Sequence, residues 1–155
     1  MKKAWKFILL ALLAAVVFSV SPAMAAPEMP VNLGLDHVNM QWWIVNVGKR
    51  DDGTPFAITR RFYTNETIRQ DIVEILMSRF GHLPEVAGAL FGTEYEYEYT
   101  MDRRQFAVTY LRHYDMVGRL IHGTDFDNSR EDRMRTYNAV DPNHAVGRAL
   151  ALIPR

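Results

Sequence analysis

The residues with the greatest chemical potential fall in one short stretch, Gly92 to Thr100, where Glu94, Glu96 and Glu98 alternate with Tyr95, Tyr97 and Tyr99. Alternate residues of a strand share a face and lie about 7 Å apart. Two carboxylates at such a spacing serve glycoside hydrolysis as acid and nucleophile or base. Three like charges in a row also make a solvated face that resists edge-to-edge association. The second reading is favoured, with a ligand or partner surface as the next alternative and catalysis after it.

The other reactive side chains are sparse. His113 and His122 bracket a turn and would meet across a hairpin, although two imidazoles fall short of the usual ligand count of a structural zinc site. His37, His82 and His144 show no partner in the sequence. The stretch "DFDNSRED", with Asp125, Asp127 and Ser129, resembles the start of a calcium loop. It carries Arg130 where the turn glycine belongs and Thr136 where the bidentate glutamate belongs, so it reads as a connection. There is no cysteine, and beyond the leader only Ser78 and Ser129 are serines, neither in a nucleophile-elbow context. The sequence therefore points to no catalytic residue, no metal site and no cofactor, and leaves ligand-binding residues unassigned. Trp42 and Trp43 would send one indole to each side of a strand, one to the core and one to the surface as a mild binding candidate.

These side chains need a sheet to position them. "WWIVNV" (Trp42 to Val47) and "FAITRRFY" (Phe56 to Tyr63) read as strands joined by a turn around Asp52-Gly53, with Phe56, Ile58, Arg60 and Phe62 on one face. The tyrosine strand and "QFAVTYLRHY" form a hairpin across a loop wider than two residues. The predicted pairs are Tyr99 with Phe106, Tyr97 with Val108 and Tyr95 with Tyr110, which leaves Glu98 against Ala107, Glu96 against Thr109 and Glu94 against Leu111. A turn at Val117-Gly118 and a short strand over Arg119 to His122 follow. Between these strands, Ile68, Ile72, Ile75, Leu76 and Phe80 recur at helical spacing behind a capping Asn65, so periodicity favours a helix over Asp71–Phe80, with an extended strand as the alternative. "GHLPEVAGALFG" is a loop with one helical turn. Asp141 as N-cap, Pro142 at the first helical position and the stripe Val146, Leu150, Ile153 predict a terminal helix. The sum is an α+β domain, a twisted antiparallel sheet of about five to six strands with a C-terminal helix on one face.

The N-terminus sets the expected compartment. Lys2, Lys3 and Lys6 precede the uncharged run Phe7 to Val20, and Ala23-Met24-Ala25 ends it. That order is the pattern of a secretory signal peptide, and the run is shorter than the roughly 17–25 residues of a membrane span. Residues 1–25 are read as the leader, 26–40 as an irregular lead-in and 41–155 as one domain. Without Lys2, Lys3 and Lys6 the chain keeps 15 basic against 18 acidic residues, a balance of −3. Such a balance gives no support for nucleic-acid binding. Without cysteine, stability outside the cytoplasm must come from packing.

The run "YEYEYTMDRRQFAVTYLRHYDMVGRLI", then an aromatic, a proline-led turn and a helix, resembles the surface-adhesin protein E-like domain of Gram-negative bacteria. Tyr97, Arg103, Arg104, Tyr114, Asp115, Gly118 and Arg119 match its pattern, Tyr137 stands for its tryptophan, and Pro142 opens its turn. Two cysteines common in that family are missing, one of them at Thr100. The resemblance implies a twisted antiparallel sheet with a helix. It makes Asp71–Phe80 a strand, and it implies a non-enzymatic binding role toward host extracellular-matrix or serum proteins. With the leader, it implies an exported protein, periplasmic or at the cell surface. It carries no residue-level contact site.

Overall fold

The structure is a computed structural model that describes residues 28–126 and 137–155. The leader, most of "DFDNSRED" and the polar connection after it lie outside the described residues. Among the described residues seven strands form one antiparallel sheet: β1 (Val31–Leu35), β2 (Gln41–Lys49), β3 (Pro55–Phe62), β4 (Leu90–Tyr99), β5 (Gln105–Asp115), β6 (Leu120–Asp125) and β7 (Asn138–Ala139). Six run in simple meander order from β1 to β6, while β7 pairs with the start of β5. Helices α1 (Glu66–Ser78), α2 (Pro84–Ala87) and α3 (Ala145–Leu152) complete the α+β domain. No described helix is long and apolar enough to cross a membrane.

Two departures concern the first half of the chain. The lead-in expected to be irregular carries β1, which pairs with β2 around a bulge at Asn32/Gly34. Gly34 adopts φ +80°, and its N–H donates to Asn32 Oδ1, so a glycine and an asparagine turn break the alternation that would have marked a strand. Asp71–Phe80 belongs to helix rather than strand: α1 runs to Ser78, and the extended alternative implied by the family resemblance is overturned. The cause is local. Asn65 Oδ1 accepts from Thr67 N and Ile68 N, closing the N-terminus. At the other end Gly81 (φ +70°) donates to Met77 O, the bond of a left-handed glycine stop, and His82 N donates to Leu76 O.

Paired residues on neighbouring strands share a face, so the register divides the sheet cleanly. One face holds Trp42 and Ile44 of β2, Ala57, Thr59 and Arg61 of β3, Thr93, Tyr95, Tyr97 and Tyr99 around them, and Leu111 and His113 of β5. Both longer helices pack here. Val73 and Leu76 of α1 join Met40, Trp42, Tyr63 and Leu90 in one core cluster. Val146, Ala149 and Leu150 of α3, with Ile153, join Ile44, Ala57, Tyr97 and Tyr99 in the other. The tyrosines therefore are the inner side of the strand, as expected. Tyr99 is 1% exposed and donates its hydroxyl to Val146 O at 2.7 Å.

The hairpin keeps the expected register only near its loop. Tyr99 meets Phe106, Glu98 meets Ala107 and Tyr97 meets Val108; a bulge then leaves Thr109 unpaired, so Glu96 meets Tyr110, Tyr95 meets Leu111 and Glu94 meets Arg112. The loop is Thr100 to Arg104, closed by Thr100 N to Gln105 O at 2.9 Å. From it Arg103 reaches the carbonyls of Ile153 and Pro154, tying the hairpin to the end of α3. α3 starts later than expected. Asp141 does not cap it but builds a turn of its own, accepting from Asn143 N on its side chain and from His144 N on its carbonyl. Gly147 lets that turn lie on the helix, since a Cβ there would sit 2.1 Å from Asp141 O. The last long strand runs further than its predicted end at His122, because Thr124 and Asp125 continue to pair with Leu111 and Tyr110.

Candidate functional site

Two polar assemblies occupy opposite faces of the sheet. The first is on the face that no described helix covers. Arg60 of β3 lies opposite Glu94 of β4 and Trp43 of β2. Its guanidinium pairs with Glu94 at 2.6 Å and sits 5.7 Å above the Tyr114 ring. Tyr110 donates to the other Glu94 oxygen at 3.1 Å. Burial and the Glu94 charge push that phenol's pKa up. One step along the strand, Glu96 accepts from Arg50 at 2.5 Å and from Thr109 at 2.6 Å. Arg112 completes the lattice, 4.7 Å over the Tyr110 ring and ion-paired with Asp125 at 2.6 Å.

The glutamates are therefore not the freely solvated row that alternation suggested. The side chains of Glu94 and Glu96 are only 12% and 15% exposed, covered by arginines some forty residues away in sequence. Their hydrogen-bond partners already occupy them, and these bonds pin the outer face of β4 to its neighbours.

At the end of this lattice a cleft of about 440 Å³ opens, lined by Arg60, Phe62, Phe91, Gly92, Glu94 and Tyr114, with Met116 at its rim. Gly92 makes the floor, because a Cβ there would meet Phe62 at 3.0 Å and the Arg61 carbonyl at 3.1 Å. Phe62 and Phe91 stand 5.2 Å apart as one wall. Phe91 and Met116 are 41% and 76% exposed, an apolar rim beside an arginine–glutamate pair.

The second assembly lies beneath the helices. Arg61 is enclosed by the rings of Trp42, Tyr63 and Tyr95 at 5.6, 5.1 and 5.5 Å, and among the described residues no carboxylate pairs with it. Its Nη2 donates to Tyr63 Oη, which shares a 2.6 Å hydrogen bond with Thr93 Oγ1. Thr93 in turn meets His113 Nδ1 at 2.8 Å. His113 pairs in register with His122 across the β5–β6 hairpin, so the expected meeting of these two rings occurs. The rings stack at 6.4 Å, and His122 Nδ1 lies 3.1 Å from His82 Nε2. Burial, aided by the neighbouring His122, Arg61 and His82, pushes the His113 pKa down to about 4, so this imidazole is neutral at physiological pH.

The remaining predicted residues sort out simply. Trp42 is core and Trp43 half-buried on the open face. Trp42 Nε1 donates to Asp36 at 2.8 Å, and His144 packs edge-on against its ring. His37 and His144 line a cleft of about 300 Å³ with Asp36, Trp42 and Arg148, away from His113. Ser78 ends α1. Asp125 pairs with Arg112, while Asp127 and Ser129 lie outside the described residues. Sequence reading missed the Arg61 cage and the approach of His82, which no local pattern signals. No known protein family, curated protein or solved structure matches the chain.

Proposed function

We propose that the protein is an exported, non-catalytic, adhesin-like binding domain that grips a protein partner of the host extracellular-matrix or serum class through the open face of its sheet. The observation that carries this reading is the cleft over Gly92, where Arg60, Tyr114, Phe62 and Phe91 converge beside a prearranged ion pair. Arginine and aromatic side chains in a desolvated depression are the residue types that dominate binding energy at protein interfaces. A lattice already locked by ion pairs and ring contacts loses little further side-chain freedom on association. The leader-like N-terminus and the resemblance to surface-adhesin protein E-like domains supply the export and partner class.

The test is solid-phase binding of the mature chain to vitronectin, laminin and other matrix or serum proteins. Saturable binding that falls about 10-fold or more in Phe91→Ala is expected, by the usual cost of losing an interface anchor. Failure to saturate on any of these proteins would end the adhesin reading. A second reading, a periplasmic small-ligand or accessory domain, rests on the cleft between Asp36, Trp42, His144 and Arg148. Thermal-shift screening against metabolites separates the two, because a ligand of the native state raises the melting temperature by mass action.

A further inference from the structure

We propose that His82 and His122 form a site for one late first-row divalent cation, of the Zn²⁺, Ni²⁺ or Cu²⁺ class, with two imidazole nitrogens as the protein's donors. His82 Nε2 and His122 Nδ1 face each other at 3.1 Å. Two imidazole nitrogens bound to one tetrahedral zinc, each about 2.0–2.1 Å from it, stand about 3.3–3.4 Å apart. A separation of the rings by about 0.2–0.3 Å would thus admit the ion between them.

Both donors are placed by structure that exists for other reasons. His82 is fixed by the glycine stop at the end of α1, where its N–H donates to Leu76 O. His122 is fixed by its pairing with His113 in the β5–β6 hairpin. Thr124 Oγ1 lies 3.3 Å from His122 Nε2. When that hydroxyl accepts from Nε2–H, Nδ1 is left as a lone pair aimed at His82, the orienting contact that metal-ligating histidines commonly have. The Phe80 ring lies 4.0 Å from the His122 ring and restricts its rotation. His113 stands behind, its Nδ1 engaged by Thr93.

Donor chemistry selects the ion. Neutral imidazoles favour copper, nickel and zinc, whereas calcium and magnesium need oxygen ligands. Among the described residues no group of three or more His, Cys, Asp or Glu side chains is placed to hold one ion. Among the described residues no third donor joins the pair, so the positions they leave on the ion are open to water. The competing occupant of the same gap is a single shared proton, in an ordinary hydrogen bond between two neutral imidazoles.

Calorimetric titration of the EDTA-treated mature chain with Cu²⁺, Zn²⁺ and Ca²⁺ near neutral pH decides between them. One ion per chain is expected, copper tighter than zinc and calcium silent. His82→Ala and His122→Ala should each weaken binding about 10-fold or more, and Thr124→Val about 10-fold. His37→Ala, at an exposed histidine in a different cleft, should change nothing. With Cu²⁺, electron paramagnetic resonance should show nitrogen couplings that vanish in the double variant His82→Ala/His122→Ala. Circular dichroism of each variant checks the fold independently of the metal. If the double variant binds with the affinity and stoichiometry of the parent chain, or the parent binds no ion, the pair is a hydrogen bond and the proposal is overturned.

Discussion

Arg60 and Arg61 are neighbours in sequence, yet the two faces of the sheet solve the problem of a cation in opposite ways. On the open face Arg60 meets a carboxylate, Glu94, and a tyrosine ring, with its side chain 40% exposed. On the covered face Arg61 meets three aromatic rings and one hydroxyl, with no carboxylate paired to it among the described residues. Both leave Nε buried without a partner. The contrast separates two uses of charge: one holds a surface in a fixed shape for something outside, the other fills a place in the interior at a desolvation cost that aromatic contacts offset.

Substitutions at three positions sharpen this comparison. The largest effect belongs to the covered face itself. Tyr99→Ala removes a fully buried ring and its bond to α3, and should lower unfolding free energy by about 3–5 kcal/mol, measured by urea denaturation. Arg61 comes next. Arg61→Ala loses the caged side chain and leaves a void, at an expected cost of about 2–4 kcal/mol. Arg61→Met keeps most of the volume without the charge and should stay within about 1 kcal/mol of the parent or exceed it. If methionine proves as damaging as alanine, the cation and not the volume holds the cage together. The smallest stability effect is predicted on the open face, where Arg60→Ala should cost about 1 kcal/mol or less. The same change should weaken partner binding about 10-fold. A large stability loss for Arg60→Ala would erase the division between the faces.

How much of this was legible in the sequence depended on the range of the interaction. The inner row Tyr95, Tyr97, Tyr99 was visible because alternation is local, and so was α1, whose apolar spacing lies within it and whose N-cap Asn65 stands next to it. Alternation told which side Glu94 and Glu96 take but not what covers them, since Arg60 and Arg50 approach from a separate strand and loop. β1 was hidden because its single bulge at Gly34 destroys the two-residue period in a strand of only five residues. The His113–His122 meeting followed from hairpin symmetry, while His82 arrives from a helix terminus with no signal of its own. The open-face cleft depended on a missing side chain, Gly92, whose meaning appears only when Phe62 is seen beside it.

The unpaired Thr109 gives the β5 strand two reading frames. Before it, even-numbered residues such as Phe106 and Val108 point toward the helices; after it, odd-numbered residues such as Leu111 and His113 do. Thr109 and Tyr110 both turn toward the glutamates, donating to Glu96 and Glu94. A lineage that lost this one residue would keep every other side chain of the strand on its present side. Loss of a residue a few places away, at Leu111 or Arg112, would turn the rest of the strand inside out. The strand therefore has one position where its length is negotiable, with neighbours where it is not.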